Sequence, residues 1–405
     1  MEKIEALFLF ALRSALRGEK VDMELTREEW VAMLRLARVH KVLPLVLDVI
    51  HGCPSLQSLG EELALMKRQV RHQVMMQTLR TGEFLELNRE LLEKGIRPLV
   101  VKGLVCRELY PKPDHRPSGD EDVLVEPAQF ELCCGILTEM GLESPGNPEK
   151  NASEIPFRKP DSPLYIELHK SLFPPEAEAV NHWNGFFEGV FQRAVERQIQ
   201  GNRILTMCPT DHMLYLLCHA FKHFLHSGFG IRQVCDIVLF ARQYGLEVDW
   251  EQIYVNCSEI RGLKFAAAIF RIGEKHLGIP APEIFREMEV DEEPMLGDLL
   301  RGGLYGDATL SRIHSSNIIL DAVEAEKQGT RPRSVLRTSL FPSAEALAGK
   351  YPYLKKRPWL LPLAWVQRIG KYSRELRTES GSSAAEALKI GSERLELMRY
   401  YDILN

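Results

Sequence analysis

The chain has 405 residues, 45% of them hydrophobic, and a formal net charge of −5. A chain of this length buries a sizeable core and is expected to divide into about two or three folding units. The near-neutral charge balance argues against a whole surface built to bind nucleic acid or membranes, so partners are expected at local sites.

The cysteines and the N-terminus predict a cytoplasmic protein. No two of the eight cysteines form a CxxC pair, and Cys133 and Cys134 are adjacent, which suits neither a disulfide framework nor a zinc knuckle. The acidic Glu2 and Glu5 precede the apolar stretch at residues 6–12, and no small-residue cleavage site follows it, which argues against a secretory signal. No apolar run reaches the about 20 residues of a membrane helix, so we expect no membrane partner.

The first part of the chain is predicted to be helical. Apolar residues recur there at helical spacing, as at Phe84 and Leu87, and no alternating strand pattern occurs. We place an N-terminal helical segment at residues 1–75. The pattern changes at residues 95–103, GIRPLVVKG, where glycine and proline precede a short apolar run typical of a buried strand.

The next part of the chain predicts a small α/β unit. Its three predicted strands are residues 99–101, 120–126 and 163–169. A short helix is expected after the first strand, and a helix beginning at Pro127 after the second. The predicted fold is therefore α+β, with a small mixed-sheet core at residues 76–207 between the N-terminal helices and a mainly helical region at residues 208–405.

Helices return in the C-terminal half. One is predicted at residues 210–228, with Thr210 as its N-cap, and another at residues 231–244. Three later segments are interpreted as surface connections or a linker: residues 289–298, 306–312 and 378–387.

Acidic residues at the second and third strands predict a metal site. Because side chains alternate along a strand, Asp120 and Asp122 share one face, and Glu167 and His169 share one face of the third strand. If the strands are neighbours, three carboxylates meet, which is costly unless a hard cation such as Mg²⁺ compensates them. An isolated DxD of this kind is also typical of a solvated turn.

Lys102 and Gly103 end the first strand at the start of a helix. Backbone N–H groups at such a turn favour an anion, and glycine permits close approach. On its own, Lys-Gly is more typical of an ordinary strand-to-helix connection. Together with the carboxylates, however, this turn predicts a site for a metal-bound nucleoside triphosphate.

The order of these motifs resembles a known family. The chain resembles the uncharacterised nucleotidyltransferase family of the DNA polymerase beta-like nucleotidyltransferase superfamily. The resemblance rests on a strand followed by KG and a helix, then RPSGDEDVLV, and then a later strand with Glu167 and His169. The resemblance extends over about residues 80–375. It includes HAFKHF, followed by Arg232 and Asp236, and the later segment LFPSAEALAGKYPYLKKRPWLLPLAWVQRIGKY.

The resemblance implies a function for the motif residues. Gly103 matches the glycine of the nucleotide-binding turn, Asp120 and Asp122 the metal-binding pair, and Glu167 the third carboxylate. The implied reaction is an in-line displacement assisted by two Mg²⁺ or Mn²⁺ ions. It moves a nucleoside monophosphate from a nucleoside triphosphate to a hydroxyl-bearing acceptor, which is a small molecule, a protein or RNA.

Two positions depart from the family pattern. Leu104 follows Gly103 where glycine or serine is usual, and Glu121 stands between the aspartates where an apolar residue is usual. Either the strand face of Glu121 is less buried or Glu121 has a basic partner. These departures remove no metal ligand, but they leave open a module that binds nucleotide or RNA without catalysis.

Further candidates surround this centre. Lys102 and Arg116 are candidates to neutralise the triphosphate, although Arg116 is equally typical of a solvated loop. His169 is expected either to contact the acceptor or metal ligands or to be a structural histidine. Two predicted helices are expected to offer side chains to the nucleotide or acceptor. The helix at residues 210–228 offers His219, Lys222 and His223, and the helix after it offers Arg232.

The same helix supports a rival hypothesis. His212, His219, His223 and His226 form one stripe at helical spacing. His219 and His223, with Asp236, could hold zinc in a metal hydrolase, although residue 220 is alanine and HExxH is absent. Simple hydrogen bonding between domains is also consistent with the stripe.

The segment from Lys350 to Arg377 carries eight Lys or Arg against one Glu, interleaved with aromatic residues. Such a composition can bind RNA through phosphate contacts and stacking, and it is also typical of a solvated face above a tryptophan-containing helix junction. An RNA acceptor therefore stays open.

Overall fold

A computed structural model describes residues 1–144, 153–175, 179–226, 228–302, 351–355, 357–365, 367 and 384–404. The chain divides into two compact units. The first contains Met1–His219 and Ile231–Glu293, and the second contains Ala220–Gly230 and Pro294–Asn405. The domain boundaries expected from the sequence stay a prediction.

The N-terminal region is helical, as predicted. It contains α1 (Lys3–Arg17), α2 (Arg27–Val39), α3 (Leu43–Ile50) and the long α4 (Glu61–Glu93). Helix α1 packs against α2 and α3. The start of α2 is a capping box, in which the Thr26 hydroxyl accepts the Glu29 N–H and the Glu29 carboxylate accepts the Thr26 N–H.

The sheet has six strands in the order β3-β4-β2-β1-β6-β5. Their bounds are β1 Leu99–Val101, β2 Glu121–Leu124, β3 Glu154–Arg158, β4 Tyr165–His169, β5 Val195–Ile199 and β6 Asn202–Thr206. Strand β2 is antiparallel to β1 and parallel to β4. The two predicted acidic strands are thus neighbours, and the predicted mixed sheet flanked by helices is confirmed.

Two short helices follow the central strands, α5 (Gly103–Arg107) after β1 and α6 (Phe130–Glu139) after β2. Strands β1 and β2 are buried along their whole length. Most of their residues are aliphatic, as expected for strands covered on both faces. The charged exceptions, Glu121 and Asp122, therefore require partners inside the protein.

The remaining helices of the sheet region are α7 (Pro209–His226), α8 (Ile231–Tyr244), α9 (Trp250–Glu259), α10 (Leu263–Ile272) and α11 (Glu283–Arg286). Helix α10 continues into a π-helical turn, Gly273–Leu277. The predicted helices at residues 210–228 and 231–244 correspond to α7 and α8. The prediction of Thr210 as an N-cap is wrong, because α7 begins at Pro209 and the Thr210 hydroxyl accepts the Asp249 N–H instead.

The prediction of a surface connection at residues 289–298 is wrong for its second half. Helix α12 (Glu293–Gly302) begins there, and its Met295 and Leu296 are buried. Pro294 stands in the first turn, where its missing N–H costs nothing, so it starts this helix instead of marking a loop. The segment at residues 306–312 lies outside the described residues.

The second unit contains most of α12 and the last helix, α13 (Ala384–Tyr400). The Tyr401 hydroxyl accepts the Met295 N–H, and the buried Arg394 donates to the carbonyls of Phe224 and His226. The predicted linker at residues 378–387 is described only from Ala384, where α13 has already begun.

Among the helices that the structure describes, none is long and apolar enough to cross a membrane. All eight cysteines fall in described ranges and are free thiols.

Candidate active site

The candidate site lies on the adjacent strands β2 and β4. Asp122 is directly opposite Glu167 in the parallel register. One donor atom from each of Asp122, Glu167 and His169 lies within 4.8 Å of the others, a group able to hold a metal ion. The structure therefore brings together two of the three predicted carboxylates, together with the histidine two residues after Glu167.

Asp120 lies just before β2 and is half-buried. It does not belong to the group of donor atoms within 4.8 Å that the described residues form. Its carboxylate is nevertheless near enough to raise the pKa of Glu167. Asp120 is thus at the edge of the cluster, and its predicted role as a metal ligand stays a prediction.

Asp122 and Glu167 have opposite electrostatic environments. Burial favours the neutral form of Asp122, but Lys102 and His169 outweigh it and hold the pKa of Asp122 well below its usual range. Burial, followed by the charges of Asp122 and Asp120, raises the pKa of Glu167 to about 7. Two neighbouring carboxyl groups with separated pKa values are suited to different roles, ion pairing and proton exchange.

The raised pKa of Glu167 predicts pH-dependent metal binding. A carboxylate must lose its proton to bind an ion, so protonation of Glu167 competes with the metal below about pH 7. We expect the Mn²⁺ affinity attributable to Glu167 to rise by up to about tenfold per pH unit up to pH 7 and then to level off. Calorimetry from pH 5.5 to 8.5 measures the Mn²⁺ affinity. In Glu167→Gln, the rise of the affinity up to pH 7 should be lost. An unchanged pH profile in that variant would contradict the assignment.

Lys102 contacts the acidic cluster directly. Its Nζ lies 3.0 Å from Asp122 Oδ2 and 3.0 Å from His219 Nε2. Burial lowers the pKa of Lys102, but Asp122, Tyr215 and Asp120 together outweigh this and raise it above the ordinary value. The ammonium group is therefore charged and compensates Asp122 within the protein.

The Lys102 backbone is in the left-handed region, with φ of 51°. A non-glycine residue there carries strain on the order of 1–3 kcal/mol and needs support from its surroundings. The Lys102 N–H donates to Nε2 of the buried His212 over 3.1 Å. Burial, followed by the charges of Lys102 and Arg197, lowers the pKa of His212 to about 3, so the ring is neutral and able to accept.

Of the two alternatives for Glu121, a less buried strand face or a basic partner, the structure shows the basic partner. It is completely buried, and its Oε1 lies 2.7 Å from Nη2 of the equally buried Arg107. Its Oε2 accepts the N–H of Leu104 in the first turn of α5 over 3.0 Å. The expected anion-binding turn thus already has a carboxylate from its own chain at one of its N–H groups.

Gly103 is required by this arrangement. A Cβ at this position would lie 2.3 Å from Glu121 Oε2, which the Arg107 pair holds in place. We expect Gly103→Ala to lower the free energy of unfolding by about 1–3 kcal/mol, as overpacking does elsewhere. Urea titration measures this. The matched control is Gly135→Ala in α6, where a Cβ meets nothing within 4 Å; an equal effect in both variants would contradict this explanation.

The loop before Asp120 is held by side chains from several helices. The Pro117 carbonyl accepts from Arg232 of α8, and the Ser118 carbonyl accepts from Arg80 of α4. The Ser118 N–H donates to Gln77 Oε1 over 2.9 Å. These contacts fix the backbone that delivers Asp120. Sequence reasoning missed Arg80 and Gln77 because nothing distinguishes them from other polar residues of a long helix.

Arg116 is neither solvated nor directed at an open cleft. It is 3% exposed, and its guanidinium donates to both oxygens of Asp236 at 2.7 and 2.6 Å. The Tyr110 hydroxyl donates to the same carboxylate. The solvated-loop interpretation is therefore wrong, and the buried pair explains Arg116 without a triphosphate. Asp236 is likewise engaged, which does not favour it as a zinc ligand.

Lys41 is a candidate that the sequence did not reveal. It lies between α2 and α3 with φ of 53°. The pKa of Lys41 is lowered by burial and by Arg232 and is raised by Asp120, so these three charges are neighbours. No local pattern marks a lysine in a helical connection as part of a site formed by distant residues.

The histidine stripe is divided between two roles and two units. His212 supports the Lys102 backbone, and His219 contacts the Lys102 ammonium. Lys222 and His223 belong to the second unit, so their predicted contacts to a nucleotide stay predictions. Within the described ranges, the groups able to hold a metal do not include this stripe. The structure therefore does not favour the zinc hydrolase.

The basic and aromatic segment is described only in part. Its Leu354 and Ala364 form a small buried cluster against which other residues pack: Tyr351, Tyr353, Leu360, Leu361 and Trp365. Trp359 is 71% exposed. Several aromatic residues thus have a packing role, and RNA binding by this segment stays a prediction.

Comparison with known proteins identifies the class. Residues 26–278 match a family model described as uncharacterised nucleotidyltransferase. A solved structure of an antigenic nucleotidyltransferase-like protein from Paracoccidioides brasiliensis is also similar, with 11% identity, a TM-score of 0.32, and coverage of 51% of this chain and 93% of that chain. The comparison with curated proteins gives no match.

The family match extends from α2 through the sheet to the π-helical turn after α10 and so includes every residue of the candidate site. The chain belongs to the uncharacterised nucleotidyltransferase family. It is a nucleotidyltransferase, an enzyme that transfers a nucleotidyl group from a donor to an acceptor.

Proposed function

We propose that the protein transfers a nucleoside monophosphate from a nucleoside triphosphate to a hydroxyl-bearing acceptor. The acceptor oxygen forms a bond to the α-phosphorus, the bond between that phosphorus and the bridging oxygen breaks, and pyrophosphate leaves with the bonding electrons. The acceptor is a small molecule, a protein or RNA. The observation that carries the proposal is the register of Asp122 opposite Glu167, because it brings two carboxylates side by side within the segment that matches the nucleotidyltransferase family.

The donor atoms fit a divalent ion. Asp122, Glu167 and His169 offer three atoms within 4.8 Å of one another, and two of them are carboxylate oxygens, which Mg²⁺ and Mn²⁺ accept. Such an ion, when bound, supplies positive charge to the triphosphate and to the attacking oxygen. We assign Asp122 and Glu167 as ligands, and Asp120, at the edge of the cluster, as a further carboxylate for the ion that accompanies the nucleotide.

Glu167 is suited to receive the acceptor proton. A general base works best when its pKa lies near the working pH, and the pKa of Glu167 is raised to about 7. Asp122, whose pKa is held well below its usual range, stays charged. Asp122 is therefore the permanent anion of the pair, whereas Glu167 either completes the coordination of the ion or accepts the acceptor proton.

Cations near Asp120 are the candidates for triphosphate contact. Arg232 donates to the Pro117 carbonyl, and Lys41 interacts electrostatically with both Arg232 and Asp120. Two like charges beside one carboxylate repel each other, and an additional anion stabilises them. We propose that Lys41 and Arg232 face the phosphates, while Lys102 remains on Asp122.

The test is calorimetric titration of the α,β-nonhydrolysable analogue of each common nucleoside triphosphate, with and without Mg²⁺ or Mn²⁺. We expect metal-dependent binding that Asp120→Asn with Asp122→Asn abolishes. The matched control is Asp161→Asn, an exposed turn position with φ of 56° that asparagine also tolerates.

Two results would contradict the proposal. Binding that survives in the double variant would place the nucleotide elsewhere, and absence of binding for every analogue would remove the donor. Pyrophosphate release from the natural triphosphate then separates an enzyme from a module that binds nucleotide without transferring it.

A further inference from the structure

His169 combines deep burial with an unsatisfied nitrogen. Its side chain is 7% exposed, and its Nε2 is buried without a hydrogen-bond partner. This nitrogen is directed at the acidic cluster, 3.4 Å from Asp122 Oδ1 and 3.8 Å from Glu167 Oε2. A buried polar atom of this kind needs an explanation, because leaving it unpaired costs free energy.

The other ring nitrogen faces a fourth carboxylate. Nδ1 of His169 lies 3.4 Å from Oε2 of Glu154, which is opposite His169 in the β3–β4 register. When Nδ1 carries the proton toward Glu154, the lone pair of Nε2 is directed at Asp122 and Glu167. Histidines that bind metals show this pattern, in which the distal N–H donates to a carboxylate that fixes the ring and raises its basicity.

The two oxygens of Asp122 have different neighbours. Oδ2 is paired with the Lys102 ammonium, whereas Oδ1 faces His169. An ion between Oδ1, Glu167 and His169 therefore does not require Lys102 to leave. His169 Nε2 lies 3.4 Å from Asp122 Oδ1 and 3.8 Å from Glu167 Oε2. Neighbouring ligand atoms that each lie about 2.1 Å from a metal ion are about 3 Å apart, so these separations are only slightly wider.

From this geometry we infer that His169 is a direct ligand of the divalent ion, with Glu154 as its positioning residue, and that the mixed nitrogen and oxygen site binds Mn²⁺ in preference to Mg²⁺. The inference rests on the proposed metal site but goes beyond its carboxylates. Mg²⁺ favours oxygen ligands, whereas imidazole nitrogen favours transition metals. The donor set, and not the fold, thus selects the ion.

The test uses Mn²⁺ with the full-length protein and no nucleotide. Electron spin-echo spectroscopy detects a nitrogen bound directly to Mn²⁺. We expect nitrogen modulation in the wild-type protein and its loss in His169→Gln, whose amide offers only oxygen to the metal. His72→Gln, which changes an exposed histidine of α4, is the matched control and should keep the signal.

The affinities provide a second readout. We expect wild-type protein to bind Mn²⁺ at least about tenfold more tightly than Mg²⁺, and His169→Gln to reduce this preference to within about threefold. Glu154→Gln should weaken Mn²⁺ by about tenfold and keep the nitrogen signal, since the ring remains a ligand but loses its carboxylate.

Wild-type Mn²⁺ without nitrogen modulation, or modulation that persists in His169→Gln, would overturn the inference. The first result would make His169 a counter-ion of the carboxylates, and the second would place the ion at another histidine, such as His276 beside Glu292 and Glu293. Because no nucleotide is present, failure of nucleotide binding leaves this result unaffected, and the two claims can fail separately.

Discussion

Asp122→Asn is expected to reduce metal-dependent pyrophosphate release on the order of a thousandfold. A bound metal contributes several kcal/mol of charge stabilisation, and each about 1.4 kcal/mol corresponds to a factor of ten in rate. Asp122 is the residue on which the acidic cluster depends, because it faces Glu167 in the sheet and contacts both Lys102 and His169. The rate is measured with the nucleoside triphosphate that the wild-type protein binds best.

The control for this prediction is again Asp161→Asn. Because Asp122→Asn also leaves Lys102 without its buried partner, circular dichroism and urea titration must show that the variant is folded. A folded variant with nearly wild-type release would contradict the assignment. A simultaneous loss of fold moves the test to Glu167→Gln, whose side chain is 26% exposed and tolerates neutralisation more easily.

Glu121→Ala is expected to lower the free energy of unfolding by about 3–5 kcal/mol. Removing one partner of a buried ion pair leaves the other charge uncompensated in the interior. The partner here is Arg107, which like Glu121 is 0% exposed. The same change also removes the acceptor of the Leu104 N–H. The urea midpoint of the full-length protein measures the loss.

A double variant separates the charge effect from simple loss of packing. Replacing both members by leucine leaves no buried charge, and such replacements of buried pairs are often neutral or stabilising. We therefore expect Glu121→Leu with Arg107→Leu to recover much of the stability that Glu121→Ala loses. A double variant that is no more stable than Glu121→Ala would contradict the uncompensated charge of Arg107 as the cause of the loss.

Part of the fold could be predicted because its signals are local. Three of the four inner strands, β1, β2 and β4, carry apolar runs bounded by glycine, proline or acidic residues, and the sequence predicts all three. The sequence did not predict β3, β5 and β6. Strands β3 and β5 lie at the two edges of the sheet and have exposed positions, as the alternating burial of Val195–Ile199 shows. A tight turn with φ of 48° at Gln200 and 77° at Gly201 connects β5 and β6, and an X-Gly pair between alternating residues is the signal that could have revealed this hairpin.

The site was predictable where it depends on strand periodicity. Alternation along β2 and β4 was enough to expect Asp122 beside Glu167. Strand periodicity does not predict contacts between elements that are distant in the sequence. The partner of Glu121, Arg107, is fourteen positions away on another element, and the partner of Arg116, Asp236, lies on α8. One sequence cannot show which of many arginines meets which carboxylate, since long-range packing decides this.

The central claim is that the ion and the nucleotide meet at Asp122 and Glu167. Anomalous diffraction at the manganese edge, from crystals grown with Mn²⁺ and the best-bound nonhydrolysable nucleoside triphosphate, tests it most directly. The account predicts an anomalous peak within about 2.5 Å of carboxylate oxygens of Asp122 and Glu167, next to the triphosphate. A nucleotide bound elsewhere, or a peak only at His276, Glu292 and Glu293, would contradict it.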